Sequence, residues 1–467
     1  MSVQTFFTVN VGVRQGENLS PVLFALFLND MKDFLGNELS GLNTIIDESS
    51  QLNMDEMDTN KLLKLFLLLY ADDTILFSET PSGLQSGLIK VKEYCDKWRL
   101  KLNVNKCRIV IFSRGKVRKF PNFTLGRETI EVVSSFLYLG LKLNYNNHMN
   151  IAHKDLSDRA SRAMFALLKK CKILNLPLDI ILDLFDKTII PILTYGSEVW
   201  GVENFDILQK VQLKFYKLVL KLRVSTPNLM VFGETGHFPI WVFVKVRMLS
   251  FWFKLISEQN KNKLSSIVYK LLYRLYCNGT HESSYIKCIR SYLIEVGLPN
   301  IWFSQDVSNT NFLWFKSFIK QRFKDLFIQD WYTSINDSVS NPMCVNYKIF
   351  KSFFQQEPFL KLLPTDCAIQ LVRFRTTNNG LPVNELRYER VPRHERICTK
   401  CNLQEVGDEF HYLFVCPFFQ NTRNRLLPKY YVKNPNILKY RSLFSIENKV
   451  LLLKMKHFIC ILNKELK

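Results

Sequence analysis

Two adjacent aspartates interrupt an apolar run that otherwise has the composition of a buried strand, LFLLLYADDTILF from Leu65 to Phe77. The flanking segments KLLKLFLLL and TILFSE predict the two strands of a hairpin, with Asp72 and Asp73 at its tight connection. Two carboxylates held this close repel each other and lose solvation, so they need a cation. Oxygen ligands of this kind suit Mg²⁺, which stabilises oxygens during phosphoryl and nucleotidyl transfer. The alternative is an Asp-Asp turn that only exposes charge.

The charge balance favours a polyanionic partner. Lys and Arg number 63 against 42 Asp and Glu, which gives the 467 residues a net charge of +21. This excess attracts nucleic acid through counterion release, although a basic protein can also spread such charge over solvated faces. No stretch reaches the roughly 18 uninterrupted apolar residues of a membrane span, and no cleavable signal is visible. We therefore expect an intracellular protein, with nucleic acid as the leading class of partner.

The hydrophobic pattern predicts an α+β arrangement followed by helices. Ser20 and Pro21 are typical of a helix start, and VLFALFLNDMKDFL predicts a largely buried helix. After the hairpin, apolar residues recur at helical spacing over residues 82–98, and short strands are predicted at RIVIFS and SSFLYLGLKL. This order favours an antiparallel sheet with helices on one face. Beyond Asn150 the apolar stripes are helical.

Four motifs in this order resemble the reverse transcriptases of non-LTR (LINE-type) retrotransposons. GVRQGENLSPVLFALFLND is similar to the family's nucleotide-contacting loop and helix, and YADD to its catalytic hairpin. LNVNKCRIVIF resembles the lysine-bearing segment that follows, and FLYLGLKLN the primer grip. The resemblance covers about residues 5–145, with thumb-like helices to about residue 220. It implies an RNA-directed DNA polymerase that uses an RNA template, a DNA primer or target, and deoxynucleoside triphosphates.

The resemblance also implies a role for each matching residue. Asp72 and Asp73 would bind two catalytic Mg²⁺ ions, and Lys106 would act near the leaving pyrophosphate. The predicted substrate-binding residues are Gln15, Gly16, Tyr70 and Ala71, and the predicted primer grip is Phe136, Leu137, Tyr138, Leu139 and Gly140. Each motif has a plainer interpretation, since Gln15 and Gly16 could simply form a turn, Lys106 could be an exposed lysine, and residues 136–139 could form a buried strand.

One expected element of the family is not found in these residues. Reverse transcriptases complete the metal site with a third carboxylate, on a strand that precedes the glutamine-glycine loop. Here the first acidic residue is Glu17, which already follows Gln15 and Gly16. The resemblance therefore predicts an N-terminally truncated copy that lacks the fingers and the first catalytic aspartate. Its two-metal site would be incomplete and its polymerisation weak or absent.

A second group of ligand residues lies near the C-terminus, in CTKCNLQEVGDEFHYLFVCP. Cys398, Cys401, His411 and Cys416 follow the spacing C-x2-C-x9-H-x4-C, which suits a closed, structural Zn²⁺ site. The alternative is coincidence, with Cys416 buried as a small apolar residue. Nearby side chains could contact phosphates and stack on bases, or simply be surface groups: Arg390, Arg393, Arg396, Phe418, Arg423 and Arg425.

These patterns predict an incomplete α+β polymerase palm, an α-helical thumb, a helical C-terminal region and a zinc-knuckle-like element. The corresponding segments are residues 1–145, 146–225, 226–395 and 396–467. Three functions remain open: a reverse transcriptase, a non-catalytic nucleic-acid-binding remnant, and a chain whose exposed sheet edge and apolar surface prevent stable folding. The resemblance to this family implies a location in the nucleus, the cytoplasm or both.

Overall fold

The computed structural model describes residues 19–35, 67–70, 73–113, 121–146, 148–202, 206–279 and 282–466. The chain divides into two compact units. The first contains Met1–His148, Phe253–Arg290 and Ser304–Ser308, and the second contains Met149–Trp252, Ser291–Phe303 and Asn309–Lys467. Among the described helices, none combines the length and apolar character needed to cross a membrane.

The strands of the described residues all belong to the first unit. They are β1 Leu67–Tyr70, β2 Asp73–Leu76, β3 Arg108–Ile109, β4 Phe123–Leu125, β5 Glu128–Val132, β6 Ser135–Tyr138 and β7 Leu141–Asn144. Three small sheets result: β1 pairs with β2, β5 pairs with both β3 and β4, and β6 pairs with β7. All of these pairs are antiparallel except β3 with β5, which are parallel. Mixed helix and sheet is confirmed, but the described strands do not form the predicted single antiparallel layer.

Helices make up most of the remaining described chain. They are α1 Ser20–Phe27, α2 Met31–Leu35, α3 Pro81–Lys97, α4 Asn150–Ile173, α5 Leu178–Thr188, α6 Ile190–Leu193, α7 Ser197–Trp200, α8 Asp206–Val219, α9 Asn228–Thr235, α10 Ile240–Ile256, α11 Leu264–Cys277, α12 Ser284–Glu295, α13 Pro299–Ser304, α14 Phe312–Asn336, α15 Cys344–Phe350, α16 Phe359–Leu362, α17 Thr365–Arg375, α18 Pro382–Glu385, α19 Gln420–Leu426, α20 Lys429–Val432, α21 Ile437–Phe444 and α22 Lys449–Glu465. Short 3₁₀ turns and one π-helical turn, His411–Val415, lie between them.

Helix α3 starts at a well-formed cap and packs against the three-stranded sheet. Thr80 accepts a hydrogen bond from the Gly83 amide, and Pro81 occupies the first turn, where its missing N–H costs nothing. The Gln85 side chain of α3 donates to the Thr124 carbonyl and accepts from the Thr124 amide, both at 2.9 Å. These bonds fix the helix to strand β4 above an apolar cluster that contains Phe123, Leu125 and Ile130.

The helix predicted over residues 22–35 differs from the observed structure. The chain forms α1, interrupts it with a turn at residues 28–30, and then forms α2. No residue of α1 is buried, whereas Met31 and Leu35 of α2 join the core with Val91, Tyr94 and Cys95 of α3. The prediction of one largely buried helix was wrong because a composition that is apolar all round does not indicate which face finds a partner.

The predicted thumb helices are present in the second unit as α4, α5 with α6, and α8. The second predicted helix divides after Thr188 into α5 and α6. Pro191 has no N–H to donate, so the regular backbone hydrogen bonds between residues i and i−4 are interrupted there. Phe185 of α5 and Phe215 of α8 stack with ring centroids 4.1 Å apart. Aromatic packing of this kind holds the helices of the second unit together around a buried face.

A buried ionic network lies in the core of the second unit. Arg375 donates from Nε to both carboxylate oxygens of Glu234, at 3.0 and 2.9 Å, and from Nη1 to the Phe444 carbonyl at 3.1 Å. Its Nη2 lies 2.9 Å from Glu357, which also pairs with Lys351. Two acids and two bases thus neutralise each other where each side chain is at most 9% exposed. The network joins residues that are far apart in the sequence, including α9 and α17.

Candidate functional site

The paired strands β1 and β2 place the YADD sequence at the end of a short hairpin. Their register pairs Leu67 with Leu76 and Tyr70 with Asp73. Asp73 is exposed. Ala71 and Asp72, between the last paired residues, lie outside the described part of the chain, and so does the Tyr70 side chain. The predicted hairpin is therefore present, with Asp73 as the first residue of β2.

The base of this hairpin is anchored in an apolar cluster. Leu76 packs against the buried group that includes Met31, Leu35 and Tyr94. The Tyr94 hydroxyl donates to Asp30 Oδ1 at 2.5 Å, and burial, with the hydrogen bond to Asp30, raises the pKa of this phenol far above its usual range. The phenol therefore stays a neutral donor at all physiological pH values. The anchoring explains how a four-residue strand pair is held in place although its tip is polar.

Of the predicted glutamine-glycine loop and Lys106, the described residues include only Lys106. Gln15 and Gly16 lie outside the described residues. Lys106 is exposed and ends a 3₁₀ turn, Val104–Lys106, just before strand β3. This exposure suits both a charge stabiliser that faces a substrate and an ordinary surface lysine.

The predicted primer grip is a hairpin rather than a single strand. Strand β6 ends at Tyr138, and β7 begins at Leu141. Leu139 and Gly140 connect them with positive φ angles of 45° and 80°. Two residues with positive φ form the turn that matches the twist of an antiparallel pair. The alternative of a buried strand is wrong, because Leu137 is 54% exposed and the other side chains from Phe136 to Leu139 are only half-buried.

The four ligand residues near the C-terminus converge on one point. One atom from each of Cys398, Cys401, His411 and Cys416 lies within 4.8 Å of all the others. The Sγ atoms of Cys398 and Cys416 are 3.9 Å apart, and Cys401 Sγ is 3.4 Å from His411 Nε2. Around a tetrahedral Zn²⁺ ion these separations would be about 3.8 Å between sulfurs and about 3.5 Å between sulfur and nitrogen. The donor set and its spacing therefore fit zinc.

Local backbone structure builds this cluster from two short segments. The Glu405 carbonyl accepts from the Cys398 amide at 2.8 Å, and the Lys400 amide donates to Cys398 Sγ at 3.3 Å. These bonds close the turn that carries the first two cysteines. The second segment is the π-helical turn His411–Val415, whose wider spacing lets the Cys416 amide reach the His411 carbonyl at 2.8 Å. The segment is thus helical, with residues 409–410 leading into the π-helical turn.

Acidic side chains orient the histidine. Glu405 Oε2 lies 2.9 Å from His411 Nδ1, so the carboxylate accepts the Nδ1 proton and leaves Nε2 free to face the three sulfurs. Asp408 Oδ1 accepts from the His411 amide at 3.0 Å. This arrangement is typical of histidines that bind metal. The sequence analysis did not identify Glu405 and Asp408, although both lie inside the segment between the ligands.

The cysteines of the cluster differ in acidity. Burial opposes ionisation of Cys398, but hydrogen bonds from its neighbours, Tyr412 first among them, outweigh that effect and lower the pKa of the thiol to about 7. Burial instead raises the pKa of Cys416 to about 12. A cation at the centre of the cluster would supply the positive charge that Cys416 needs in order to ionise.

Several arginines predicted to contact phosphates have structural roles instead. Arg423 is fully buried and donates to the carbonyls of Leu413 and Cys416, at 2.8 and 2.9 Å. It thereby satisfies the orphan carbonyls of the π-helical turn. Arg393 pairs with Asp408 at 2.9 Å, and Arg396 donates to two backbone carbonyls at 2.8 Å. Exposed Arg390, Arg425 and Phe418 remain free to meet a ligand.

A buried acid connects the cluster to the rest of the second unit. Glu409 accepts hydrogen bonds from the side-chain amides of Asn346, Asn379 and Asn384, at 2.6, 3.2 and 3.2 Å. Gly407, two residues earlier, lies so close to its neighbours that an added Cβ would be 3.0 Å from Pro382 Cγ and 3.2 Å from Cys398 Cα. The cluster is therefore packed tightly against α18 and is not a loosely tethered knuckle.

Comparison with known proteins identifies the N-terminal part of the chain. Residues 2–143 match the family described as reverse transcriptase (RNA-dependent DNA polymerase). The chain is 24% identical over 215 residues to the RNA-directed DNA polymerase from mobile element jockey of Drosophila melanogaster, and 23% identical over 224 residues to its counterpart in Drosophila funebris. These alignments cover 44% and 46% of this chain but only 21% and 22% of the relatives. A 98-residue stretch is 33% identical to the Pol polyprotein from type-2 retrotransposable element R2DM of Drosophila melanogaster, covering 21% of this chain and 8% of that protein.

These findings define the class of protein: residues 2–143 carry a reverse transcriptase domain. The domain is of retrotransposon origin, and the relatives confirm the predicted resemblance to RNA-directed DNA polymerases of non-LTR elements. The aligned part of the chain spans about a fifth of the length of the two jockey polymerases.

Proposed function

We propose that this chain carries the catalytic hairpin, primer grip and thumb of an RNA-directed DNA polymerase that transfers nucleotides to a primer 3′-end. The register of β1 and β2 is the observation that carries the proposal, because it places Asp73 opposite Tyr70 at the end of the hairpin. Asp72 and Asp73 would bind Mg²⁺ there, since carboxylate oxygens are ligands that Mg²⁺ prefers. The names of the relatives support this chemistry.

The other predicted residues would complete the substrate site. Lys106, exposed after its 3₁₀ turn, would stabilise charge on the leaving pyrophosphate. The β6–β7 hairpin would hold the primer through Phe136, Leu137, Tyr138, Leu139 and Gly140. Gln15, Gly16, Tyr70 and Ala71 would contact the incoming nucleotide. RNA template, DNA primer or target, and deoxynucleoside triphosphates would be the ligands, met in the nucleus or cytoplasm.

We expect the 467 residues alone to polymerise weakly or not at all. Two metal ions are normally bridged by a third carboxylate, and no Asp or Glu precedes Gln15 in this sequence. Without that ligand the ions lose a shared partner and the attacking oxygen loses its orientation. The segments 1–145, 146–225, 226–395 and 396–467 would then act as partial palm, thumb, helical region and zinc-binding end.

Primer extension on an RNA template with Mg²⁺ tests this proposal. We expect the purified chain to bind the primer-template but to extend it no more than Asp72→Ala or Asp73→Asn does. Extension that these substitutions abolish would confirm the polymerase assignment and contradict the expected inactivity. A chain that neither binds nor extends the primer-template would contradict the assignment itself.

We further propose that Cys398, Cys401, His411 and Cys416 bind one structural Zn²⁺. The tetrahedral separations and the Glu405 contact to His411 support this assignment. All four positions are filled by protein ligands, so the ion would hold the two segments together rather than activate water. Metal analysis of the purified chain should find about one zinc per molecule, and a chain that is folded and zinc-free would contradict the proposal.

A non-catalytic nucleic-acid-binding role is the second candidate. The net charge of +21 favours it. Under this proposal the chain would bind RNA or DNA with an affinity that falls steeply with salt, and Asp73→Asn would leave that affinity unchanged. The affinities of the wild-type chain and of Asp73→Asn would be compared at the same salt concentration and without nucleotides. A difference between them would contradict a purely non-catalytic binding role.

A further inference from the structure

A cleft of about 300 Å³ lies in the second unit, and no residue of the cysteine-histidine cluster lines it. The end of helix α17, the loop that follows it and the end of helix α22 line the cleft. The residues that line it include two arginines, Arg223 and Arg373, and several residues with amide side chains, among them Gln370, Asn378 and Asn463. No carboxylate is among the residues that line it. A cleft with this lining suits an anion that also offers hydrogen-bonding groups.

The two arginines are available to different degrees. Arg373 is exposed and projects from the last turn of α17. Arg223 donates from Nη2 to Glu385 at 2.8 Å, in a pair whose members are both substantially exposed. Its backbone amide donates to Asn378 Oδ1 at 2.7 Å, which fixes the start of its side chain at the cleft. Arg373 is therefore the group with which a phosphate would pair directly.

The amides of the lining are engaged by the fold itself. Asn378 Oδ1 accepts from Thr226 at 3.0 Å, and its Nδ2 donates to the Thr376 carbonyl at 2.7 Å. Asn463 Oδ1 is buried beyond the reach of a water molecule, so it is not open to a ligand in the cleft. The arginines are therefore the groups of the lining with which a bound anion would pair.

The exposed ring of Tyr388 lies beside Arg223. Tyr388 is 53% exposed, and its ring centroid lies 5.8 Å from the Arg223 guanidinium and 5.0 Å from that of Arg387. Its hydroxyl lies 3.1 Å from Ser225 Oγ, which limits rotation of the ring. Unpaired bases stack on tyrosine rings and on guanidinium planes alike. Arg223 thus joins the polar cleft to a surface on which a base can stack.

We propose that this Arg-Tyr face, formed by Arg223, Arg373, Arg387 and Tyr388, binds single-stranded nucleic acid. One nucleotide would enter the cleft, with its phosphate at Arg373. A neighbouring base would stack on the array of Tyr388 with Arg223 and Arg387. A duplex would not fit this arrangement, because its bases are already paired and stacked. The inference rests on the proposed function, since it takes nucleic acid as the ligand of the chain.

Fluorescence anisotropy with the full chain in its zinc-containing form tests the inference. The probes are a labelled 20-nucleotide single-stranded RNA, a DNA strand of the same sequence, and the corresponding RNA duplex, without nucleotides or Mg²⁺. We expect Arg373→Ala and Tyr388→Ala each to weaken single-strand binding about tenfold, as the loss of a phosphate contact or of a stacked base does. Arg373→Ala should also reduce the salt slope by about one. Tyr388→Phe should bind as the wild type does, because the ring remains.

Arg441→Ala is the matched control, because it removes the same charge from an exposed position on α21 in the same unit. We expect it to weaken binding less than about twofold. Equal losses in Arg373→Ala and Arg441→Ala, or duplex binding as tight as single-strand binding, would overturn the inference. Equal losses on RNA and DNA would identify phosphate and base as the shared ligand, and losses on RNA alone would identify RNA.

The same measurement separates this inference from the proposed function. A wild-type chain that binds no single strand at low salt would overturn both. A wild-type chain that binds, with Arg373→Ala and Tyr388→Ala indistinguishable from Arg441→Ala, would overturn the Arg-Tyr face alone. Arg373 and Tyr388 are exposed, so their substitution should leave the unfolding midpoint unchanged, which thermal denaturation of each variant checks.

Discussion

The YADD hairpin and the cysteine-histidine cluster both contain residues of metal-binding types that the sequence marks clearly, yet they are built in opposite ways. Asp73 is exposed at the end of a four-residue strand. In the cluster, Cys398, His411 and Cys416 are 5%, 2% and 0% exposed, and the four residues converge from two short segments that lie close together in the sequence. A ligand set supplied by neighbouring segments can stabilise both of them when metal binds. A site open to substrate contributes to chemistry but little to folding.

The largest effect should follow the loss of a cluster ligand. Cys416→Ala should reduce the zinc content from about one ion per chain to near zero and unfold the segment around residues 398–416, because three ligands no longer close the site. Elemental analysis and limited proteolysis would measure both. Cys367→Ala is the control, since Cys367 lies in the same unit outside the cluster. If Cys416→Ala kept its zinc, the contrast with the open hairpin would fail.

A smaller but substantial loss is expected from the buried ionic network. Arg375→Met should lower the free energy of unfolding by about 3–5 kcal/mol, because it leaves Glu234 and Glu357 buried without their shared partner. Urea denaturation would measure the change. Lys187→Met, which breaks the exposed pair with Asp183, should change stability by less than about 1 kcal/mol. Similar values for both variants would show that burial of ionic groups does not govern stability in this unit.

The contact between Glu405 and His411 offers a graded test of the cluster. Glu405→Gln should keep the fold but lower zinc affinity about 10- to 100-fold, because an amide holds the Nδ1 proton of His411 less strongly than a carboxylate does. Competition with a chromophoric chelator gives the affinity. Glu447→Gln, at an exposed position in the same unit, should match the wild type. An unchanged zinc affinity in Glu405→Gln would show that this carboxylate does not orient His411 for metal binding.

The smallest effect on stability should come from the hairpin. Asp73→Asn should change the free energy of unfolding by less than about 0.5 kcal/mol, because Asp73 is exposed at a strand end. Glu128→Gln, another exposed strand residue of the first unit, provides the control. If Asp73→Asn lost more than about 1.5 kcal/mol and Glu128→Gln did not, Asp73 would have a structural role in the hairpin. The contrast between the hairpin and the cluster would then be weaker.

Sequence reasoning succeeded where the structure depends on neighbours along the chain. The YADD hairpin, helix α3 and the helices predicted beyond Asn150 follow from local apolar spacing and from short connections. The convergence of the four cluster ligands also followed from their spacing. The β6–β7 hairpin was only partly predicted, because a positive φ is unusual for leucine and the sequence pattern therefore did not indicate a turn at Leu139.

Burial was much harder to predict than secondary structure. Arg423 has the same sequence neighbourhood as Arg425, yet Arg423 is buried beneath the π-helical turn while Arg425 is exposed. Helix α1 is apolar but contributes no buried residue, whereas charged Arg375 lies in the core beside Glu234. A side chain's role therefore depends on partners that local patterns do not identify.

The sequence by itself determined the reverse transcriptase motifs, the basic charge and the spacing of the four cluster ligands, because each depends on composition or on residues close together in the chain. Only the tertiary structure decided which arginines are free to meet a ligand. Arg375 meets Glu234 across 141 positions, and Arg223 meets Asn378 across 155. Such contacts form through packing of distant segments, whose free energy is shared over the whole core and is not encoded in any one local pattern.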